Sequence, residues 1–393
     1  MNHGWPLPLT VQQYEELAHS TDQRPKDGLV FPLLGLFGEA GSLLSEAKKK
    51  HREAASYASY GASVVEEVGD VLWYLTTAAA HGGFSLTQVA AKALDRPAAT
   101  SGALPPNVAF KLLQPETVVS VASDPTPAFD ATLLALASEV GLLVTDFRSG
   151  RLQEGSPALL ARLASVLRML ALAASEAGVT IEGAAQLNLE KIFDRWPQKK
   201  IYPPLFDQSF PDTEQLPRQL TIEISEREVA GKKYVFQRCN NINIGNRLTD
   251  NIRKADDYRF HDVFHYAYAA VLGWSPVTRA LLRLKRKSNP SVDEAEDGAR
   301  AILIEEGVAS WIFGQAKNLR LFDGLQPREL SLSLLKHVRQ FVAGYESARC
   351  PLWLWEESIL QGYEAFRFLR AQRRGLVHLD LQTRTFSISE LRE

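Results

Sequence analysis

Acidic residues recur at helical spacing in two short segments near the N-terminus. Glu67 and Asp70 lie three residues apart within EEVGDVLWYL, and Glu39 and Glu46 lie within GEAGSLLSE. Residues three or four apart share one face of an α-helix, so each segment would present its acids to one side. Acids that face each other within an apolar bundle repel unless a cation separates them, and carboxylate oxygens suit Mg²⁺ or Mn²⁺. The spacing therefore predicts a divalent-cation site.

The segments that carry these acids are predicted to be helices. Apolar residues recur every three or four positions through residues 33–44 and 64–75, and again through much of residues 130–196. A proline-rich stretch with little helical pattern separates the two blocks. We therefore predict a helical repeat at residues 1–97, a linker at 98–128 and a second helical repeat at 129–197.

The two helical blocks are similar to each other. LLGLFGEAGSLL aligns with LLALASEVGLLV, and HGGFSLTQVAAKALDR aligns with EAGVTIEGAAQLNLEK, with the hydroxyl residues Ser85 and Thr180 as matching helix N-caps. The second block keeps Glu139 but has Arg162 and Ser165 at the places of Glu67 and Asp70. No metal cluster is expected in the second block.

The first block resembles MazG-like nucleoside triphosphate pyrophosphohydrolases, and the resemblance extends over about half of the chain. Those proteins show an E-x-x-E helix, followed by an E-x-x-D helix that ends in an apolar stretch such as DVLWYL. This chain has Glu39-x-x-Ser42 and then Glu67-x-x-Asp70. One of the four implied metal ligands is therefore a serine, and Glu46, one turn further on the same face, could partly replace it.

The closing helix of this family often carries N-x-x-K and a later arginine before proline. The second block has these residues in NLEKIFDRWP, as Asn188, Lys191 and Arg195. The first block has Ala93 and Arg96 at the places of Asn188 and Lys191. The resemblance implies tandem all-α repeats that form a pseudo-dimer bundle with one composite site. The first repeat would bind metal, and the second would contact the phosphates or the base.

The activity that this resemblance implies is hydrolysis of a nucleoside triphosphate to a monophosphate and pyrophosphate, with Mg²⁺ or Mn²⁺. Glu39, Glu67 and Asp70 would hold the metal, and an uncommitted carboxylate could take a proton from water. Cations would stabilise the leaving pyrophosphate, either from the closing helix or from Lys49 in the run KKKHR. That run is more often a solvated helix end.

The C-terminal part, residues 216–393, is predicted to be an α+β domain with short β-hairpins. Partly alternating apolar and polar residues, with Ala-Gly between the first two segments, predict strands at 220–229, 232–239, 376–381 and 383–388. Helical patterns cover residues 258–319 and 329–373. The predicted fold of the whole chain is therefore mainly α.

The segment FHDVFH in this part could form a second site. His261 and His265 are four apart on a predicted helix, Asp262 follows the first, and the next helix carries Glu305 and Glu306. Two histidines at this spacing can grip one metal ion. HDxxH is not the zinc-protease motif HExxH, and the pattern favours a buried polar network over a metal site. The region resembles a domain fused after MazG modules, a resemblance that implies no particular activity.

Bulk composition sets limits on location and partners. The net charge of -2 gives no field that attracts nucleic acid, and two cysteines fit a reducing compartment. The basic stretches at 279–287 and 366–375 are interpreted as amphipathic helices with basic outer faces. With no uninterrupted apolar run that would span a bilayer and no signal-peptide pattern, a cytoplasmic protein without membrane contact is expected.

Three functions are compatible with these patterns. The first is a nucleotide pyrophosphohydrolase, and the second is a nucleotide-binding regulator whose turnover is weakened by Ser42. The third is a C-terminal metal-dependent effector that the helical half controls. The sequence does not specify the nucleotide, and it leaves open whether two chains pair as a homodimer.

Overall fold

The computed structural model describes most of the chain and divides it into two units, Met1–Phe193 and Asp194–Glu393. The protein is mainly α-helical, and its strands form one small antiparallel sheet in the second unit. The predicted fold class is confirmed. The described residues are 5, 7–22, 28–94, 108–114 and 121–391.

The first unit is built from helices whose ends follow local capping rules. Thr10 and Ser85 each form a capping box, and Thr126 and Ser156 each cap a helix that begins with proline. The helices are α1 (Val11–His19), α2 (Val30–Glu53), α3 (Tyr60–His81), α4 (Leu86–Ala93), α5 (Pro127–Arg148), α6 (Pro157–Glu176) and α7 (Ile181–Arg195).

The two similar sequence blocks fold into the same order of helices, α2–α3–α4 and α5–α6–α7. Ser85 Oγ accepts a hydrogen bond from Gln88 N at 3.1 Å, and Thr180 Oγ1 accepts one from Gly183 N at 3.1 Å. Both predicted N-caps are therefore confirmed. Equivalent leucines of α2 and α5 are fully buried, as the shared periodicity predicts: Leu36 and Leu136, and Leu43 and Leu143. Each buried leucine stabilises the fold by about 1.5–3 kcal/mol relative to an exposed one.

Part of the predicted linker packs into the core of the first unit. Val108 and Phe110 are buried, and the Gln114 side chain accepts a hydrogen bond from Ile181 N and donates one to Val179 O. This stretch of the proline-rich segment thus satisfies backbone groups at the start of α7. Residues 98–107 and 115–120 of the predicted linker lie outside the described residues.

Two helices of the first unit, α5 and α6, are long and apolar enough to cross a membrane by length and composition. Charged residues interrupt both, for example Glu139 and Asp146 in α5 and Arg162 in α6. Both helices also contribute buried side chains to the core of this unit. The buried share of the apolar window is 28% in α5 and 50% in α6, so packing covers part of their apolar surface.

The second unit combines a sheet with helices. The strands are β1 (Gln219–Val229), β2 (Lys232–Cys239), β3 (Ile242–Asn243), β4 (Arg374–Asp380) and β5 (Thr385–Ser389), in the spatial order β3-β2-β1-β4-β5. The helices are α8 (Asp262–Ala267), α9 (Pro276–Leu282), α10 (Pro290–Ala295), α11 (Ala299–Ala316), α12 (Leu332–Phe341) and α13 (Leu352–Gln372).

The predicted hairpins are present, whereas the first helical stretch is more broken than its periodicity indicates. Ala230 and Gly231 both have positive φ, which matches the twist that a two-residue hairpin turn requires. Residues 258–319 divide into α8, a π-helical turn over Tyr268–Leu272, and then α9, α10 and α11. Gly273, with φ 72°, ends the π-helical turn, and Ser275 caps α9.

Candidate active site and a second polar cluster

Helices α2 and α3 bring three carboxylates together in the first unit. One oxygen each of Glu39, Glu67 and Asp70 lies within 4.8 Å of the others, and all three residues are half-buried. Glu39 comes from α2, and the other two lie one turn apart on α3. The spacing that predicted a shared face thus corresponds to a compact group of oxygens, which we call the carboxylate group.

The carboxylate group carries more negative charge than its surroundings stabilise. Burial raises the pKa of Glu67 to about 7, and the neighbouring charges of Asp70 and Glu39 add to the rise. Glu67 Oε2 is buried and has no hydrogen-bond partner among the described residues. Such an arrangement is relieved either by a proton or by a cation.

Residues of the second repeat complete this site. Asn188 Nδ2 donates a hydrogen bond to Asp70 Oδ1 at 2.9 Å. Lys191 Nζ pairs with Asp70 Oδ2 and lies 2.8 Å from Glu66 Oε1. Tyr14 holds Asn188 from the other side, because its hydroxyl donates to Asn188 Oδ1 at 3.0 Å. An amide and a cation from α7 thus contact an acid on α3.

Gly69 permits this contact, and sequence reasoning missed its role. A Cβ at Gly69 would lie 2.7 Å from Ala184 O and 2.9 Å from Asn188 Cβ, so only glycine lets α3 approach α7 this closely. Its position between Glu67 and Asp70 in EEVGDV was the available signal, since glycine inside a helix destabilises it and usually has a packing reason.

Glu46 and Lys49 do not join the carboxylate group, which corrects the expected role of Glu46 as a metal ligand. The Glu46 carboxylate is buried, accepts a hydrogen bond from the Tyr57 hydroxyl and pairs with Lys49. The hydrogen bond to Glu46 raises the pKa of Lys49, so the two form a local ion pair. Helical spacing correctly placed Glu46 on the same face of α2 as Glu39. The Glu46 carboxylate instead accepts a hydrogen bond from the hydroxyl of Tyr57.

Arg195 is also engaged elsewhere, in the second unit. Its side chain is 3% exposed, its guanidinium donates to Arg328 O at 3.2 Å and to Leu330 O, and Nη1 lies 3.3 Å from Glu356 Oε2. A buried, ion-paired guanidinium is not available to a phosphate. The expectation that Arg195 binds substrate is therefore contradicted.

The second repeat has a guanidinium where the first has acids. Arg162 lies 2.7 Å from Asp146 Oδ2 and 3.9 Å from Glu139 Oε2. Asp146 aligns with Glu46 of the first repeat, and sequence reasoning had not singled it out. The acids of the second repeat thus have a cationic side chain of the protein itself beside them.

The predicted residues of the second site lie together around α8 and α11. His265 is fully buried; its Nδ1 lies 2.9 Å from Glu305 Oε1 and its Nε2 lies 3.4 Å from Glu306 Oε2. His261 Nε2 lies 3.1 Å from Asp262 Oδ1 and 3.7 Å from Glu306 Oε2. One atom each of His261, His265 and Glu306 lies within 4.8 Å of the others.

Burial and the neighbouring carboxylates act in opposite directions on His265. Burial alone would lower the pKa of His265, but Glu305 and Glu306 raise it to about 10. The ring can thus carry a proton between two carboxylates when nothing else binds there. The buried polar network that the sequence allowed is one state of this cluster.

The comparison with protein families found one match, in the C-terminal part of the chain. Residues 201–392 match the MazG C-terminal domain. The match spans the sheet, helices α8 to α13 and the HDxxH motif, and it confirms the resemblance seen in the region of FHDVFH. The comparisons with curated proteins and with solved structures found no match. The MazG-like resemblance of the helical repeats stays a prediction.

One basic stretch of the second unit lies partly inside rather than on an outer face. Arg279 and Arg286 are buried, and their guanidinium groups lie 2.7 Å from Asp207 Oδ2 and 2.7 Å from Asp297 Oδ1, respectively. This corrects the interpretation of residues 279–287 as an amphipathic helix with a basic surface. Arg279 and Arg286 form ion pairs inside the second unit, so their guanidinium groups cannot contact a phosphate backbone.

Proposed function

We propose that this protein is a nucleoside triphosphate pyrophosphohydrolase that uses Mg²⁺ or Mn²⁺ held by Glu39, Glu67 and Asp70. The observation that carries the proposal is the carboxylate group, with Asn188 and Lys191 of the second repeat on one of its acids. The first half of the chain resembles MazG-like pyrophosphohydrolases. The match of residues 201–392 to the MazG C-terminal domain supports the proposal, because it links the second half to MazG proteins independently.

The residues fit a hard divalent cation. Their donors are all carboxylate oxygens, which Mg²⁺ and Mn²⁺ prefer. The buried Glu67 Oε2 without a hydrogen-bond partner and the raised pKa of Glu67 are both features that a bound cation would relieve. When bound, the cation would neutralise phosphate charge and lower the pKa of a water molecule.

The side chains around the cation have separate tasks. Asn188 orients Asp70, and the Tyr14 hydroxyl orients Asn188. Lys191 brings a positive charge to the rim of the carboxylate group, where it can pair with the pyrophosphate as the bond to the α-phosphorus breaks. A carboxylate that the cation leaves uncommitted accepts the proton of the attacking water.

The proposal places the protein in the cytoplasm, where nucleoside triphosphates are abundant. Cys239 and Cys350 are both free and buried, which fits a reducing compartment.

A second candidate function is nucleotide binding without turnover. Ser42 favours it, because it removes one acid that the family resemblance implies, and Glu46 is committed to Tyr57 and Lys49. Binding of a nucleotide and its cation would survive this loss better than hydrolysis.

The test uses the full-length protein with a panel of NTPs and dNTPs plus Mg²⁺, and resolves the products by ion-exchange chromatography. Glu39→Gln and Glu139→Gln form a matched pair, because the two glutamates occupy equivalent positions in the two repeats. We expect monophosphate and pyrophosphate from the wild type. Glu39→Gln should lose activity by on the order of 100-fold, since a lost ligand weakens charge stabilisation by several kcal/mol. Glu139→Gln should remain active.

Each contrary outcome is informative. Release of single phosphate would contradict the proposed cleavage position. Nucleotide binding without turnover would favour the regulator. Activity that survives Glu39→Gln but is lost in His261→Ala would favour an effector in the C-terminal domain.

A further inference from the structure

We propose that the second unit binds a divalent transition-metal ion through His261 Nε2, His265 Nε2 and Glu306 Oε2. This site goes beyond the proposed nucleotide chemistry and shares no residue with the carboxylate group. His261 lies directly before α8, His265 lies within α8, and Glu306 lies on α11.

The distances between the candidate ligand atoms suit a shared ion. His265 Nε2 lies 3.4 Å from Glu306 Oε2, and His261 Nε2 lies 3.7 Å from the same oxygen. Two atoms bound tetrahedrally to zinc at about 2.0–2.1 Å are about 3.3–3.4 Å apart. A direct N–H···O hydrogen bond would be about 2.9 Å long. The two N···O distances are therefore too long for good hydrogen bonds. They are close to the distance between two atoms that bind the same metal ion.

The other ring nitrogen of each histidine is held by an acceptor. His265 Nδ1 lies 2.9 Å from Glu305 Oε1, and His261 Nδ1 lies 2.9 Å from Tyr258 O. An Nδ1–H that donates to such an acceptor leaves the Nε2 lone pair for a metal, and outer partners of this kind orient most metal-binding histidines. In both rings Nδ1 thus faces an acceptor, so an ion that displaces the proton from Nε2 would meet the tautomer that metal binding needs.

The outer partners are themselves fixed. Glu305 accepts hydrogen bonds from Ser275 Oγ at 2.6 Å and from Val277 N at 2.8 Å, and it is fully buried. The Tyr258 ring stacks on His261, with centroids 4.4 Å apart and an angle of 6° between the planes. A site whose ligands are locked in this way loses little entropy when an ion binds.

The donor set and its exposure indicate the class of ion. Two imidazole nitrogens and one carboxylate suit Zn²⁺, Fe²⁺ and similar ions better than Mg²⁺ or Ca²⁺. Glu306 is 39% exposed whereas His265 is fully buried, so the ion would be reached from the side of Glu306. Three protein ligands would leave a position for water or a small ligand, and Asp262 Oδ1, 3.1 Å from His261 Nε2, is a further oxygen beside it.

The experiment titrates Zn²⁺ into chelator-stripped full-length protein by calorimetry, with excess Mg²⁺ present to occupy the carboxylate group. The Co²⁺-loaded protein is followed by its visible absorption, which reports the coordination geometry of the bound ion. We expect one Zn²⁺ ion to bind per chain at this site. We also expect that Mg²⁺ does not displace bound Co²⁺, so the visible spectrum stays unchanged when Mg²⁺ is added. Neither readout depends on nucleotide turnover, so failure here and failure of the proposed function are distinguishable.

Variants assign the binding to these residues. Glu306→Gln keeps the size of a partly exposed side chain, so it tests the site even if substitutions at the buried His265 do not fold. We expect Glu306→Gln and His261→Ala each to weaken Zn²⁺ binding by about tenfold or more. Glu364→Gln and His337→Ala change an exposed acid and an exposed histidine of the same unit, and both should bind Zn²⁺ as the wild type does.

Two results would overturn the proposal. One is Zn²⁺ binding of equal affinity in the wild type and in the double variant of His261→Ala and Glu306→Gln. The other is the absence of stoichiometric Zn²⁺ and Co²⁺ binding by the folded wild type. Either would leave His265 as a buried ion pair between Glu305 and Glu306.

Discussion

Replacing Glu67 with glutamine should stabilise the metal-free protein while it removes activity. Glu67 is crowded by two other carboxylates, and its Oε2 is buried without a hydrogen-bond partner among the described residues. A neutral amide of the same shape ends the repulsion and can donate hydrogen bonds to Asp70 or Glu39. A residue that destabilises its own fold in this way is typical of a functional site.

The size of the effect follows from the pKa of Glu67. A rise from 4.5 to about 7 corresponds to about 3 kcal/mol, which partial exposure and solvent screening reduce to roughly 1–2 kcal/mol. Because the folded pKa lies above the unfolded one, metal-free stability falls as pH rises from about 4.5 through 7. The increase in the free energy of unfolding from Glu67→Gln should thus be complete at about pH 8 and disappear toward about pH 5.

The assay is calorimetric melting of wild type and Glu67→Gln, each in EDTA and in saturating Mg²⁺. For a unit of this size, 1–2 kcal/mol raises the melting temperature of the first unit by roughly 2–8 °C. In EDTA the variant should melt higher. Mg²⁺ at about 100 times its Kd should stabilise the wild type by about 2.7 kcal/mol and leave the variant almost unchanged, so the order reverses.

The reasoning is refuted if Glu67→Gln melts lower than wild type in EDTA, since the acids would then support the fold as ordinary surface charges. Equal Mg²⁺-induced shifts in the two proteins would refute it as well, because the ion would then bind elsewhere. Glu139→Gln serves as the control, because Arg162 already lies beside that acid.

Further predictions concern both units. Lys191→Ala should lower turnover by about 10–100-fold without weakening Mg²⁺ binding, because Lys191 pairs with an acid of the carboxylate group. Unchanged turnover would contradict this expectation. Lys92→Ala, which changes an exposed lysine, is the control. Ser42→Glu should lower the half-saturating Mg²⁺ concentration by roughly tenfold, because it adds an acid on α2; a Mg²⁺ titration of activity measures it. Arg279→Met should destabilise the second unit by about 1.5–3 kcal/mol, because buried Asp207 loses one of its two arginine partners and keeps only Arg218. Burial raises the pKa of Asp207, but a backbone N–H and Arg279 lower it below the usual value. The stability that the pair contributes is therefore present at neutral pH and lost in acid, so melting curves of wild type and Arg279→Met should converge there.

The sequence determined the local features of this protein. The three- and four-residue periodicity predicted the faces that α2 and α5 bury, and hydroxyl residues predicted the caps of α4 and α7. Alternation around Ala230 and Gly231 predicted the first hairpin. These features depend on φ/ψ preferences and side-chain spacing within a few residues, which a sequence displays directly.

Tertiary structure alone decided which distant side chains meet. Asn188 and Asp70 are 118 residues apart, and their hydrogen bond depends on close packing at Gly69. Arg195 carried the same sequence signal as Lys191, yet it is buried against Glu356. Spacing along a helix determines which face a residue occupies, but not what that face packs against. The packing partner depends on the three-dimensional arrangement of helices far apart in the chain, which the spacing does not encode.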